Sequence, residues 1–522
     1  RRAFDAAVRA APDEARLAHA RSLAPKHPDE ALALVADLAA TRRADVADLL
    51  LTIGRAREAA KLLSGLVSEG AEAVHVEVLR ALAEMRDVAS KETSARRTPK
   101  GRRRSRRARH AAAPPAPELD ARLGAEVERL LAQSLTEPDR RRLLAEAVRF
   151  ELFARHQEHA RRHLSDLLAA SPTATAGSEE IFADAFALLR EGSKEDLLSA
   201  ARLLDEEASL YRDVSVRRRA VYWAARARAR AGDLESARPL YASLLSGPSP
   251  DLYAVWAAGE LGVVLSPSGS AGPAEGETVL SKESAGAPSR ELLACGFPDL
   301  AEDQAEDEGS LDPLFGAALA SERDDHRRAA HLLKLRWPEL GTPDEGAVPL
   351  AARRAFYPLA RYALVTRTAE ENGLAPSLLF ALIRQESLFQ PLVTSRAGAV
   401  GLMQVMPATG RLLARRERRR AGDLKDPAEN LRLGARYLAS LVRLFGGDEA
   451  AALAAYNAGP GRMLRWRREG KSLRRDELLE SIPMREPRDY VKRVLFFQGA
   501  YSALYGLPLA PGAPAPVHPR TL

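Results

Sequence analysis

Apolar residues recur along this chain at intervals of three and four rather than two, and the segments that carry them are joined by short breaks of Gly, Pro or Asp. That spacing gives each segment one apolar helical face, and with alanine and leucine abundant and β-branched runs scarce it predicts an all-α protein. Helical pairs are expected at Ala31 to Leu38 followed by Val46 to Ile53, at Leu143 to Phe153, and at Ile181 to Leu189 followed by Ala200 to Leu210. Tyr222 to Ala231 runs into a Gly232-Asp233 turn, Ser236 to Leu245 returns from it, and Tyr253 to Leu261 begins another unit. Helix, Gly-Asp turn and second helix at this spacing predict a degenerate TPR-like hairpin repeat, and stacked hairpins of that kind make an N-terminal superhelix with an extended concave surface.

The pattern changes near residue 350. Pro376 follows the Asn372-Gly373 break as a pre-set first-turn residue, and Leu378, Leu379, Leu382 and Ile383 then recur at helical spacing. Glu386 lies seven, four and three residues beyond Leu379, Leu382 and Ile383, which puts it on the buried stripe. Burial and the negative end of the helix dipole both disfavour a charged carboxylate there, so Glu386 is either a frayed, solvated helix end or a general acid protonated near neutral pH. The next acid downstream is Glu417.

The downstream segments favour the acid. Ser395 to Pro407 has glycines at 398 and 401, where backbone can approach a ligand, and Ser395 and Gln404 offer uncharged hydrogen bonds suited to sugar hydroxyls and acetamides. Farther on, Tyr456 and Asn457 sit where an apolar helix breaks into Gly459-Pro460-Gly461, and Glu480-Ser481-Ile482-Pro483 precedes Glu486 and Tyr490-Val491. Each has a plainer reading. Met403 and Met406 alternate with Leu402 and Val405 as a core stripe would, Tyr456 could be a packed aromatic whose hydroxyl caps a carbonyl, and Glu480 could be a solvated loop acid.

Taken together, these segments resemble the soluble lytic transglycosylases, which cleave bacterial peptidoglycan with a lysozyme-like catalytic domain. The matching pieces are Glu386-Ser387, Gly401 to Gln404 with Met406-Pro407, Ala455 to Gly461, Glu480 to Pro483 and Tyr490-Val491, in the family's order over roughly residues 350 to 506. The resemblance implies that Glu386 is the one catalytic acid. It would protonate the glycosidic oxygen between N-acetylmuramic acid and N-acetylglucosamine, then take the proton of the muramyl 6-hydroxyl, leaving a 1,6-anhydromuramyl end. It further implies that Ser395, Gln404 and Met406 line the glycan groove, that Tyr456 and Asn457 orient the sugar and its acetamide, that Glu480 faces the stem peptide, and that Tyr490 belongs to the substrate site. Peptidoglycan glycan strands and stem peptides are then the partners, with cell-wall synthesis or secretion proteins as further partners of the superhelix. No metal or other cofactor is expected, and the periplasm is the implied location.

A one-carboxylate mechanism suits the spacing. Retaining or inverting hydrolysis needs a second carboxyl about 5 to 9 Å from the first, and the fold could still supply one from Glu371, Glu480, Glu486 or Asp489. A lysozyme-type muramidase and a non-catalytic peptidoglycan-binding scaffold therefore stay open as alternatives.

Length and charge refine the organisation. At 522 residues one core is not enough. We expect an N-terminal helical region at 1–93, a basic insertion at 94–117, the hairpin region at 118–265, a flexible loop at 266–290, a helical connector at 291–349, the catalytic domain at 350–508 and a Pro-rich tail at 509–522. The insertion carries nine Lys and Arg residues against a net charge of +7 for the whole chain, so its basicity is local. It reads as a solvated spacer or as a contact for a polyanion. A nucleic-acid role would rest on it alone, and no specific nucleic acid is expected. A second run, Arg411, Arg415, Arg416, Arg418, Arg419 and Arg420, reads as a solvated helix end or as an attractor of carboxylates.

His156, His159 and His163 share a helical face but lack zinc-motif spacing. Cys295 is the single cysteine, so no intrachain disulfide forms. No apolar run reaches the eighteen residues a membrane span needs. The start at Arg1 rather than Met suggests a removed export signal.

Overall fold

In a computed structural model the described residues are 13–95, 117–265 and 287–509, apart from 25–27, 65, 67–69, 155, 248, 264, 308–311, 396 and 421. Most of the arginine-rich insertion, most of the Gly/Ser-rich loop and nearly all of the tail lie outside them, with the expectations attached to each. Among the described residues every element is helical except for two isolated β-bridges, Thr394 with Val400 and Val400 with Val405. The all-α expectation therefore holds. Contacts divide the chain into two units, Arg1–Ala237 and Arg238–Leu522.

The first unit is a succession of helices that pack chiefly on their neighbours in sequence. Lys194–Leu210 and Val214–Ala231 show how local chemistry makes a hairpin. Ser193 and Asp213 cap the two N-termini by accepting from the amides of Asp196 and Val216, and Gly232 ends the second helix in the left-handed region. Between the helices the buried Arg219 donates to Glu207 at 2.9 Å and lies over the Phe182 ring at 4.2 Å, so the charge is both paired and stacked.

The second unit is built around one extensive core. Eight of its helices concern the site: α1 (Tyr362–Glu371), α2 (Pro376–Ser387), α3 (Pro407–Arg416), α4 (Pro427–Leu444), α5 (Glu449–Ala458), α6 (Pro460–Glu469), α7 (Arg475–Glu480) and α8 (Arg485–Tyr505). A buried stripe was expected on α2, but every residue from Pro376 to Arg384 is buried. A helix apolar nearly all round is enclosed on all sides, and truncating Leu379 or Leu382 to Ala would cost about 2–5 kcal/mol each. The single charge in that stretch is caged. Arg384 places its guanidinium carbon 4.0, 4.8 and 4.7 Å from the ring centroids of Phe356, Tyr357 and Phe497. Nearby Glu345, wholly buried, accepts from Tyr357 Oη at 2.7 Å, the Gly341 amide at 2.9 Å and Ser249 Oγ at 3.0 Å. These contacts bind α2 to the segment before α1.

Helix Leu252–Leu261, which the sequence pattern assigns to the hairpin region, contributes Leu252 to this second core. Close packing explains the assignment: a Cβ on Gly499 of α8 would lie 1.8 Å from the Pro250 carbonyl oxygen.

Candidate active site

Glu386 occupies the last turn of α2, and the chain leaves it through two consecutive non-glycine residues in the left-handed region, Leu388 (φ 51°) and Phe389 (φ 62°). Such conformations persist only where the surroundings enforce them. Phe389 is fully buried, which supplies the enforcement. Beside Glu386, Ser387 Oγ donates to the Leu402 carbonyl at 2.8 Å and so joins the end of α2 to the next loop.

That loop is fixed from within. Val400 and Val405 exchange backbone bonds at 3.1 and 3.0 Å, and the Gly401 amide donates to the Val393 carbonyl at 2.9 Å. From α4 the buried Asn430 accepts from the Met403 amide at 2.8 Å and donates to the carbonyls of Val400 at 2.8 Å and Leu424 at 2.7 Å. Gly401 is required here, with φ +79° and no room for a Cβ, which would lie 2.3 Å from Asn430 Nδ2 and Leu424 O.

Two tyrosines complete the surroundings. Tyr490 of α8, 3% exposed, donates to Glu386 Oε1 at 2.5 Å, and Tyr456 of α5 donates to the Met403 carbonyl at 2.7 Å. Burial raises both hydroxyls well above their usual range, and the charge of Glu386 raises them further, so both stand close to that carboxyl and stay neutral. Tyr437 of α4 packs on Tyr456 with ring centroids 5.3 Å apart.

Glu386 keeps partial solvent access, yet burial pushes its carboxyl up to about 7, opposed only by the Tyr490 hydroxyl. Neither a cation nor a second carboxylate contributes among the described residues. The acids that could have been the second group are occupied or turned outward. Glu371 is largely exposed beside Arg367, Asp489 pairs with Arg485 at 3.1 Å, and Glu486 is exposed.

The other expected site residues divide. Ser395 Oγ accepts from the Ala399 amide at 2.9 Å, and the Gln404 amide nitrogen donates to the carbonyls of Gly401 at 2.9 Å and Val393 at 3.3 Å. Among the described residues the Gln404 carbonyl oxygen accepts no hydrogen bond, which leaves it for a ligand. Met406 stands 41% exposed at the start of α3, which overrides its reading as core. Asn457 is half-buried and makes no side-chain hydrogen bond among the described residues. Tyr456 does cap a carbonyl, as in its plainer reading, and it does so beside Glu386.

Glu480 departs from expectation. Its side chain is 2% exposed, with Lys492 Nζ at 3.0 Å and Tyr253 Oη donating at 2.9 Å. A carboxylate enclosed and paired in this way is placed as a strut between elements, whereas the stem-peptide reading expected an accessible one. Sequence reasoning also missed Asn430, Tyr437 and the bridging role of Ser387. Asn430 left a signal, since it is a polar residue on the apolar stripe of α4.

Comparison with known proteins agrees with this geometry. Residues 363–479 match the family described as Transglycosylase SLT domain. The soluble lytic murein transglycosylase of Salmonella typhimurium is 39% identical over 157 residues, 29% of this chain and 24% of that protein. Its counterpart in Escherichia coli K12 is 38% identical over the same length. The match thus spans about a quarter of these relatives. The lytic transglycosylase Slt of Pseudomonas aeruginosa, solved as an inactive glutamate-to-glutamine mutant, has a similar fold, with a TM-score of 0.50 at 22% identity over 96% of this chain and 81% of that one. Residues 363–479 are thus similar to the transglycosylase SLT domain, and this part of the chain is similar in sequence to the soluble lytic murein transglycosylases.

Proposed function

We propose that this protein is a lytic transglycosylase that cleaves the β-1,4 bond between N-acetylmuramic acid and N-acetylglucosamine in peptidoglycan. One observation carries the reading: a lone carboxyl, Glu386, raised to about 7 by burial, hydrogen-bonded to a neutral tyrosine and without a second carboxylate acting on it.

Such a group holds its proton at neutral pH and gives it up readily. In the first step Glu386 protonates the glycosidic oxygen, the bond from muramyl C1 to that oxygen breaks, and N-acetylglucosamine leaves with a free 4-hydroxyl. The muramyl 2-acetamido oxygen covers C1 in the meantime, which is the substrate-assisted exception among glycosidases. Glu386, now a carboxylate, takes the proton of the muramyl 6-hydroxyl while O6 attacks C1, forming the 1,6-anhydro ring and restoring the acid. No water is consumed. Ser395, Gln404, Met406, Tyr456 and Asn457 would line the groove, with the free amide of Asn457 and the carbonyl of Gln404 as sugar and acetamide contacts.

Peptidoglycan lies outside the cytoplasmic membrane, so the periplasm is the proposed location, and no described helix is long and apolar enough to cross a membrane. The helical hairpins of the first unit would guide glycan strands or recruit cell-wall synthesis or secretion proteins.

Mass spectrometry of muropeptides released from purified sacculi tests the reading. Products one water lighter than those of a muramidase, absent with Glu386→Gln, are the expected result. Reducing muramyl ends would instead mean hydrolysis, and sacculus binding without products would mean a scaffold.

A further inference from the structure

The C-terminal end of α3 carries more positive charge than its fold can use. Six arginines, Arg411, Arg415, Arg416, Arg418, Arg419 and Arg420, share ten residues with a single acid, Glu417. All six are exposed. Glu417 is already engaged by Arg432 and by Arg436 at 3.1 Å, both from α4, and no ion pair joins the six to a carboxylate among the described residues, although Arg419 lies near enough to Glu429 to help hold that carboxyl low. Compensating a helix C-terminus takes one or two cations in the last turn, which Arg415 and Arg416 already supply. Arg418 adopts a left-handed conformation (φ 58°) that turns the chain out of α3, and Arg418 to Arg420 continue as exposed residues instead of packing beneath the helix.

Leu412 lies within this set. At 100° per residue it falls between Arg415 and Arg416 around the helix, and it is 48% exposed, while Leu413 and Ala414 on the opposite side are buried. An exposed apolar side chain among guanidinium groups that form no ion pair has no use for a soluble polyanion, but it fits a surface with phosphates outside and hydrocarbon beneath.

We propose that this face of the catalytic unit docks on an anionic lipid bilayer, the arginines pairing with headgroup phosphates and Leu412 entering the acyl boundary. Attraction of this kind adds with each charge, is weakened by salt and reverses readily, so it holds the protein at a membrane surface without a spanning segment.

Co-sedimentation of the full chain with vesicles tests the proposal, comparing phosphatidylcholine alone with phosphatidylcholine mixed with phosphatidylglycerol. Binding is expected only to the mixed vesicles and only at low salt. The triple variant Arg415→Gln/Arg416→Gln/Arg419→Gln should bind roughly 100-fold more weakly. Leu412→Asn, with every charge kept, should bind several-fold more weakly. Cooperative thermal unfolding, with at most a small drop for the triple variant because Arg415 and Arg416 compensate the end of α3, would show that both variants are folded. The proposal fails if the triple variant binds like the parent, which would move the contact elsewhere in the chain, or if the parent binds both vesicle types alike. It also fails if Leu412→Asn has no effect while polyphosphate displaces the parent from vesicles, since the face would then be a site for soluble polyanions.

Discussion

Glu386 and Glu480 are both drawn away from bulk water in the second unit, and they are put to opposite uses. Glu480 has an ammonium at 3.0 Å and a tyrosine hydroxyl at 2.9 Å, so its charge is matched and it serves as a strut. Glu386 has one neutral hydroxyl at 2.5 Å and no cation acting on it among the described residues, so its carboxyl rises to about 7, as the proton carrier of the proposed reaction would need. What separates strut from acid is the countercharge, not the burial. A third carboxyl, Glu449, shows that the shift alone does not mark a site. Burial also raises it to about 7, but its partner is the Gln498 amide, which also donates to the Leu509 carbonyl.

The largest effect expected from this contrast lies in activity. Glu386→Gln keeps the shape and removes the proton, so turnover should fall about 10³-fold, as general-acid loss does, with thermal stability retained. Glu480→Gln should leave turnover per folded molecule within a few-fold. Initial rates of muropeptide release, normalised to folded protein, make the comparison. Equal losses at both positions would mean that the strut reading of Glu480 is wrong.

In stability the order reverses. Lys492→Met leaves a buried carboxylate uncompensated and should cost about 3 kcal/mol in urea unfolding. Replacing both partners, Lys492→Met with Glu480→Met, should recover most of that, because the penalty belongs to the unmatched charge. A double variant no better than the single one would mean that the pair is worth more than its isolation.

Glu386 should show its own cost through pH. Its carboxyl is about 7 when folded and near its ordinary 4.5 when unfolded. Below pH 4.5 both states hold the proton and the group is neutral to stability. Between 4.5 and 7 only the folded state holds it, so stability falls as pH rises, reaching a deficit of about 3 kcal/mol above 7. Glu386→Gln carries no such charge, and should exceed the parent by that amount at pH 8 while matching it at pH 4.5. Equal denaturation midpoints at both pH values would show that the carboxyl is not raised.

Much of this architecture is legible in the residue order. The period of the apolar residues announces an all-helical chain, and the break before Pro376 with the stripe behind it points to Glu386. Those signals are local, and local spacing survives folding. Glu480 misleads because its environment comes from Tyr253 and Lys492, which are far away in sequence or on another helix. Arg384 escapes notice for the same reason, its cage being drawn from Phe356, Tyr357 and Phe497. A spacing pattern states which face of a helix is buried, and it carries no information on which distant charge will meet it. Helix Leu252–Leu261 likewise reads as one more hairpin member, and only long-range contacts assign it to the second core: Leu252 within that core, Tyr253 on Glu480, and Pro250 just before the helix against Gly499.

The smallest predicted effect is the most diagnostic of how the acid is tuned. Tyr490 Oη donates to Glu386 Oε1, a bond that favours the ionised carboxylate and so opposes burial. Tyr490→Phe removes that opposition and should raise the Glu386 pKa by roughly one unit. Since the acid must be protonated to start the reaction, the rate falls as pH rises through its pKa, and the variant's alkaline limb should move upward by the same amount. Its rate at the optimum should fall only several-fold, about 1 kcal/mol, for the lost orientation. A tyrosine that only packed would lower the rate and leave the limb in place. A limb that moved downward would mean that the hydroxyl stabilises the protonated acid, and the contrast between the two glutamates would then rest on burial alone.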